Sequence, residues 1–100
     1  MATMTNVLID GKSIHSELDL HTTLEKQLEF GEYYGRNLAA LRDRLTTDIE
    51  RPVNLTWRDS EFSRSELGEE LFSRITAIFQ SIAAQDVEYG WDERFEFHLE

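Results

Sequence analysis

Apolar residues along this chain recur at two spacings. At Val53, Leu55 and Trp57, and again at Phe95, Phe97 and Leu99, every second position is apolar and the residues between are polar. That alternation belongs to a strand with one buried face. Val7-Leu8-Ile9 is a short apolar run closed by Asp10-Gly11, a strand running into a turn. Elsewhere the spacing is three or four. Leu20, Leu24 and Leu28 form one series, Leu38, Leu41 and Leu45 a second, and Leu71, Ile75, Ile78, Phe79 and Ile82 a third. Each predicts an amphipathic helix. Ser16 with Asp19 resembles a capping box at the start of the first helix, and Gly31 is placed to cap its end. Tyr33-Tyr34-Gly35 reads as a loop bent at the glycine, Asn37 as the cap of the second helix, and Pro52 as the break before the middle strand. Residues 59–68 are polar and acidic and predict an exposed loop. Gly90-Trp91 predicts a turn before the last strand, with Trp91 over the sheet. The order is β-α-α-β-α-β. Strands separated by helices predict an α/β fold with a small, mostly parallel sheet and right-handed crossovers, in one domain spanning residues 1–100.

Charge narrows the possible partners. The chain carries 20 acidic and 10 basic side chains, for a formal net charge of −10. Phosphate backbones repel such a surface, so nucleic acid is not expected as a direct ligand and a basic protein partner is favoured. Solubility alone is the commoner reason for excess charge. With 40% hydrophobic and 30% charged residues the composition is that of a globular protein rather than a disordered one. Cysteine is absent, which removes disulfides and thiolate chemistry. The start, MATMTNVLID, lacks a basic segment followed by a long apolar run, so no signal peptide is expected. Nor does any stretch approach the roughly 18 apolar residues of a membrane span. A soluble, monomeric, cytoplasmic protein is expected.

Catalytic patterns find no support. His15, His21 and His98 have no partner at ligand spacing and are expected at the surface or its boundary, so no metal site is expected. There is no G-x-S-x-G elbow, and the glycines are too dispersed to cradle a phosphate. Adjacent acids such as Glu69-Glu70 and Asp92-Glu93 are more often solvated than catalytic. Residues 59–70 and 86–96 each set five acids against one arginine, a net −4 in either run. Both runs read first as solvated faces. The chain is expected to be no enzyme and to need no cofactor.

The stretch EYYGRNLAALRDRL, residues 32–45, stands apart with two tyrosines and three arginines. At about 100° per residue, Asp43 lies roughly 140° from Leu38 and so turns away from the Leu38, Leu41, Leu45 stripe. Ala39 and Ala40 leave the helix surface flat. Two readings stand for the tyrosines: a roof over the core, or an exposed anchor for a protein partner beside an outward carboxylate.

These residues also carry a resemblance. I-D-G at 9–11, DLHTTL at 19–24, EYYGRNLAAL at 32–41, D-R-L at 43–45 and R-P-V-N-L-T-W at 51–57 together resemble the barstar family of ribonuclease inhibitors, in order and nearly in spacing. The resemblance implies a three-stranded parallel sheet packed by helices, and an inhibitor that lays its second helix and preceding loop across the active-site cleft of a small basic ribonuclease. By position, Tyr33 matches the packing tyrosine, Gly35, Asn37 and Leu38 the docking loop, and Asp43 the carboxylate that imitates substrate phosphate. This sequence departs from the pattern at several positions. Ala39 stands where the family has an aspartate, Arg42 where it has a tryptophan, and Ser81 aligns with a glutamate of the third predicted helix. Arg36 and Arg44 add positive charge, and Asp48 and Glu50 offer compensating acids. The partner-binding residues expected are Tyr33, Gly35, Asn37, Leu38, Ala39, Arg42, Asp43 and Asp48. The function expected is that of an intracellular immunity protein occluding a bacterial ribonuclease through residues 32–48. The alternatives are a binding module or regulator of the same fold whose partner is not a nuclease and, more remotely, a small hydrolase built on clustered acids.

Overall fold

A computed structural model describes residues 4–100. Three strands, β1 (Thr5–Asp10), β2 (Val53–Arg58) and β3 (Phe95–Leu99), form one parallel sheet in the order β1-β2-β3. In register, Thr5 lies opposite Val53 and Val53 opposite Phe95, while Trp57 sits between Ile9 and Leu99. Helix α1 (Glu17–Leu28) follows a short 3-10 turn at Gly11–Ser13, and α2 (Leu38–Asp43) widens into a π turn at Arg44–Asp48. Helices α3 (Ser60–Leu67) and α4 (Glu69–Glu88) then connect β2 to β3. The α/β class, the parallel sheet and the three sequence-predicted helices are as expected.

One face of the sheet is apolar and lies under the helices. Val7, Ile9, Val53, Leu55, Trp57 and Phe95 are buried against Leu20, Leu24, Leu41, Leu45, Ile75, Phe79 and Ile82. Each such aliphatic side chain contributes about 1.5–3 kcal/mol by leaving water. On the opposite face Asn6, Asn54 and Glu96 line up across the three strands, and that face is polar.

Helix α3 is a departure from the expected loop. Its buried positions are Ser60 and Ser63 rather than aliphatic residues, so it lacks an apolar period. What buries it is hydrogen bonding. The Trp57 indole N–H donates to Ser63 Oγ at 2.9 Å, and the Ser63 hydroxyl donates to the Gly11 carbonyl at 2.7 Å. This relay joins β2, α3 and the end of β1. Gly11 is required there because an added Cβ would lie 2.2 Å from the Arg58 carbonyl oxygen.

Helix ends follow the expected chemistry with one shift. Ser16 caps α1 by accepting from Asp19 N at 3.3 Å, and the Asp19 carboxylate accepts from His15 N at 2.9 Å. At the other end α1 stops earlier than the sequence implies. Glu29 takes the left-handed conformation (φ 54°), and Gly31 (φ 79°) lies beyond the cap.

Two side chains bond to single residues of the outer strands, one at β1 and one at β3. The Gln27 amide accepts from Leu8 N at 3.0 Å and donates to Leu8 O at 2.7 Å, occupying the outer edge of β1 as a neighbouring peptide would. Near β3, Asp86 is 1% exposed. It accepts from Arg51 Nε at 2.6 Å and from Phe95 N at 2.8 Å. Arg51 also donates to the Leu45 carbonyl at 2.9 Å and lies over the Trp91 ring, 5.4 Å from its centre. Asp86 is thus no part of a solvated acidic run. It is the buried clamp between the end of α2, α4 and β3. Trp91 rests on Arg51 and Tyr89, not over the sheet. Among the described residues no helix is long and apolar enough to cross a membrane, and no group of three or more His, Asp or Glu is placed to hold a metal ion.

Candidate partner-binding surface

The two tyrosines divide the two readings between them. Tyr34 is 5% exposed and Tyr33 is 90% exposed. Tyr34 roofs the core: its ring packs on Phe30 at 4.7 Å, and its hydroxyl meets His21 Nδ1 at 2.6 Å. His21 Nε2 lies 2.9 Å from a Glu17 carboxylate oxygen. A carboxylate only accepts, so Nε2–H donates to it, and in the neutral imidazole Nδ1 accepts the Tyr34 O–H. Burial, reinforced by the nearby charges of Glu17 and Glu25 and opposed by Arg44, pushes the Tyr34 phenol well above the ordinary tyrosine range. His21 is therefore interior, contrary to its expected place at the surface. The signal for this was its spacing: Glu17, Leu20, His21 and Leu24 share one face of α1.

Arginines pin the loop from below. Arg44, reaching back from the end of α2, donates to the Phe30 carbonyl at 2.7 Å and lies over the Phe30 and Tyr34 rings at 5.7 and 5.9 Å. Such stacking contributes about 0.5–2 kcal/mol depending on burial. Arg44 Nε also lies 3.5 Å from Asp48. Arg36, in the left-handed region (φ 52°), donates through Nε and Nη2 to the two carboxylate oxygens of Glu25, each at 3.1 Å. The bend is thus made at Gly31 and Arg36. Gly35 serves close packing instead, since a Cβ there would sit 3.2 Å from Asn37 Nδ2 and 3.3 Å from Ala40 Cβ. Asn37 caps α2 by accepting from Ala40 N at 2.8 Å and donates to the Gly35 carbonyl at 3.3 Å.

The resulting platform has a defined charge pattern. Leu41 and Leu45 are buried, Leu38 and Ala40 are half-buried on the core, and Ala39, Arg42 and Asp43 face outward. Only Ala39, then, leaves an outward flat patch. Among the described residues Asp43 makes no ion pair, and Arg42 has only a 3.4 Å contact from Nη2 to Ser81 Oγ. Two departures from the expected pattern, Arg42 and Ser81, therefore meet each other. Of the three arginines in the segment, two are taken up by internal partners. Exposed Asp48 lines a cleft with Glu29 and Glu50 beside the end of α1. The structure places all eight sequence-predicted site residues on the loop and helix between residues 33 and 48. It also adds the supports that sequence reasoning missed, which are His21 and the Arg51–Asp86 pair.

A three-stranded parallel sheet carrying an aromatic loop-and-helix platform pinned by Arg36 and Arg44 defines this α/β protein. Comparison with known proteins agrees. Residues 4–100 match the family described as Barstar (barnase inhibitor), and the chain belongs to the barstar family. Over 65 residues it is 42% identical to the Bacillus subtilis (strain 168) protein named "Putative ribonuclease inhibitor YrdF", an overlap covering 65% of this chain and 71% of that protein.

Proposed function

We propose that this chain is a single-domain, monomeric inhibitor that binds a basic bacterial ribonuclease in the cytoplasm and blocks its active site, acting as an immunity protein. Membership of the barstar family places it among inhibitor proteins and not among enzymes. The observation that carries the finer reading is the contrast on the platform. Tyr33 stands 90% exposed on a loop pinned through Tyr34, Arg36 and Asn37, and among the described residues outward Asp43 has no ion pair. A tyrosine side chain has few torsions to order, so it loses little conformational freedom on binding. A carboxylate without an internal partner is available to a cleft that evolved to hold phosphate. The −10 charge draws a cationic partner in.

The exposed Arg42 beside Asp43 favours one alternative, a partner with an acidic group at that point that is not a nuclease. Titration into barnase and other small basic ribonucleases, following RNA cleavage, separates the two readings. We expect stoichiometric inhibition of at least one such enzyme. Asp43→Ala should raise the dissociation constant about thirtyfold or more, the outcome when one side of a desolvated charge pair is removed. Its thermal melt should match that of the native protein. Failure to inhibit any ribonuclease that co-purifies with the chain removes the inhibitor reading. Lost stability with unchanged affinity would make Asp43 structural.

A further inference from the structure

Resting on that reading, we infer that the partner surface does not end at α2 but runs along one face of α4 to a second aromatic anchor, Tyr89 with Trp91, which takes arginine or lysine side chains of the same ribonuclease. Ser81, Gln85 and Tyr89 are spaced four apart and share a helix face. Arg42 of α2 reaches Ser81 at 3.4 Å, and Gln85 Nε2 donates to the Tyr89 hydroxyl at 3.1 Å. The other border of α2 leads to the same place, because the Leu45 carbonyl is bonded to Arg51 and Arg51 lies over Trp91. Tyr89 and Trp91 are 58% and 44% exposed, with ring centres 5.3 Å apart. Single exposed apolar residues are ordinary, but a pair of aromatic rings packed together at a tilt and continuous with the proposed platform is the composition of an interface anchor.

Charge chooses the occupant. Exposed Glu88, Asp92 and Glu93 surround the pair, and none of the three makes an ion pair among the described residues. Asp92 and Glu93 line a shallow cleft with Trp91 and Arg51. The two nearby cations are already engaged, Arg51 on Asp86 and Arg94 on the Trp91 carbonyl. A guanidinium or ammonium entering the cleft finds two carboxylates without an ion pair among the described residues and the exposed rim of the Tyr89–Trp91 pair. Arg51 beside it already lies over the Trp91 ring and is paired with Asp86.

The test uses barnase first. Binding is measured for the native chain, for Tyr33→Ala and Asp43→Ala, which probe the platform, and for Tyr89→Ala and Trp91→Ala, which probe the extension. Tyr89→Ala leaves the Arg51 contact intact and guards against a folding artefact in Trp91→Ala. We expect Tyr89→Ala and Trp91→Ala each to raise the dissociation constant about tenfold, chiefly through faster dissociation. If barnase binds and both variants keep native affinity, the extension is wrong, whatever the Tyr33 and Asp43 variants do. If barnase does not bind, a hexa-arginine peptide is titrated instead and tryptophan emission is followed. Trp57 is fully buried, so a change in emission that Trp91→Phe abolishes reports the cleft and upholds it without the platform. No change overturns it.

Discussion

Replacing Asp86 by alanine tests whether the site rests on a buried clamp. The Asp86 carboxylate is 1% exposed, its partner Arg51 has a side chain 11% exposed, and their contact is 2.6 Å. Removing the acid strands a guanidinium that is largely withdrawn from water and leaves Phe95 N–H without its 2.8 Å acceptor. Breaking one side of a buried ion pair costs about 3–5 kcal/mol, against a total stability on the order of 5–15 kcal/mol for a chain of this size. At about 4–8 °C per kcal/mol the melting temperature should fall by about 12–40 °C. Asp86→Asn keeps the size and an oxygen for Phe95 N–H, so it should cost roughly half as much. Urea unfolding followed by circular dichroism gives both values, provided the denaturant slope is unchanged. Arg51→Ala and the double variant complete a cycle, and the double should cost less than the two singles together by about 1–3 kcal/mol. A loss under about 1 kcal/mol for Asp86→Ala would refute the argument, because it would equate this pair with an exposed one.

Two further outcomes are checked with the same unfolding assay. Gly11→Ala forces a methyl to within 2.2 Å of a backbone oxygen, whereas Gly35→Ala meets side chains at 3.2 and 3.3 Å. The first should destabilise by about 1–3 kcal/mol or more and the second by less than about 1 kcal/mol; equal losses would contradict the packing argument. Tyr34 gives a pH dependence whose sign is fixed by its raised folded-state pKa. A phenol harder to ionise when folded contributes stability that is complete below its unfolded value, about 10, and is lost as pH rises through the folded value. Tyr34→Phe should therefore be less stable near neutrality, with His21 Nδ1 left without its hydroxyl partner, yet show a shallower alkaline decline. A decline of unchanged slope above pH about 10 would assign the effect elsewhere.

The strands and three of the helices were legible because burial there is apolar and periodic. Val53, Leu55 and Trp57 announce β2, and Ile75, Ile78, Phe79 and Ile82 announce α4. Helix α3 escaped because serines fill its buried positions and hydrogen bonds do the work of aliphatic contact. Asp86 was miscounted with its acidic neighbours because composition cannot separate a paired interior carboxylate from a solvated one. The same blindness affected Arg36 and Arg44. Counted as charges they make the platform cationic, but Arg36 pairs with Glu25 and Arg44 with Asp48 and the Phe30 carbonyl, which leaves Arg42 as the one of the three without an ion pair among the described residues. The outward position of Asp43 could be read because a helical stripe fixes what points away from it, whereas the pattern alone did not say which tyrosine is exposed, and only the resemblance singled out Tyr33.

The Gln27 amide has a consequence for how copies of this molecule meet. A three-stranded parallel sheet has two lateral margins, and an unprotected one invites a strand from a neighbour. Because both hydrogen-bonding groups of Leu8 are already occupied, a strand arriving at β1 must first evict a side chain held by two bonds. Crowded together at high concentration, neighbouring chains meet a β1 flank blocked at its middle, where pairing in register would cost those two bonds.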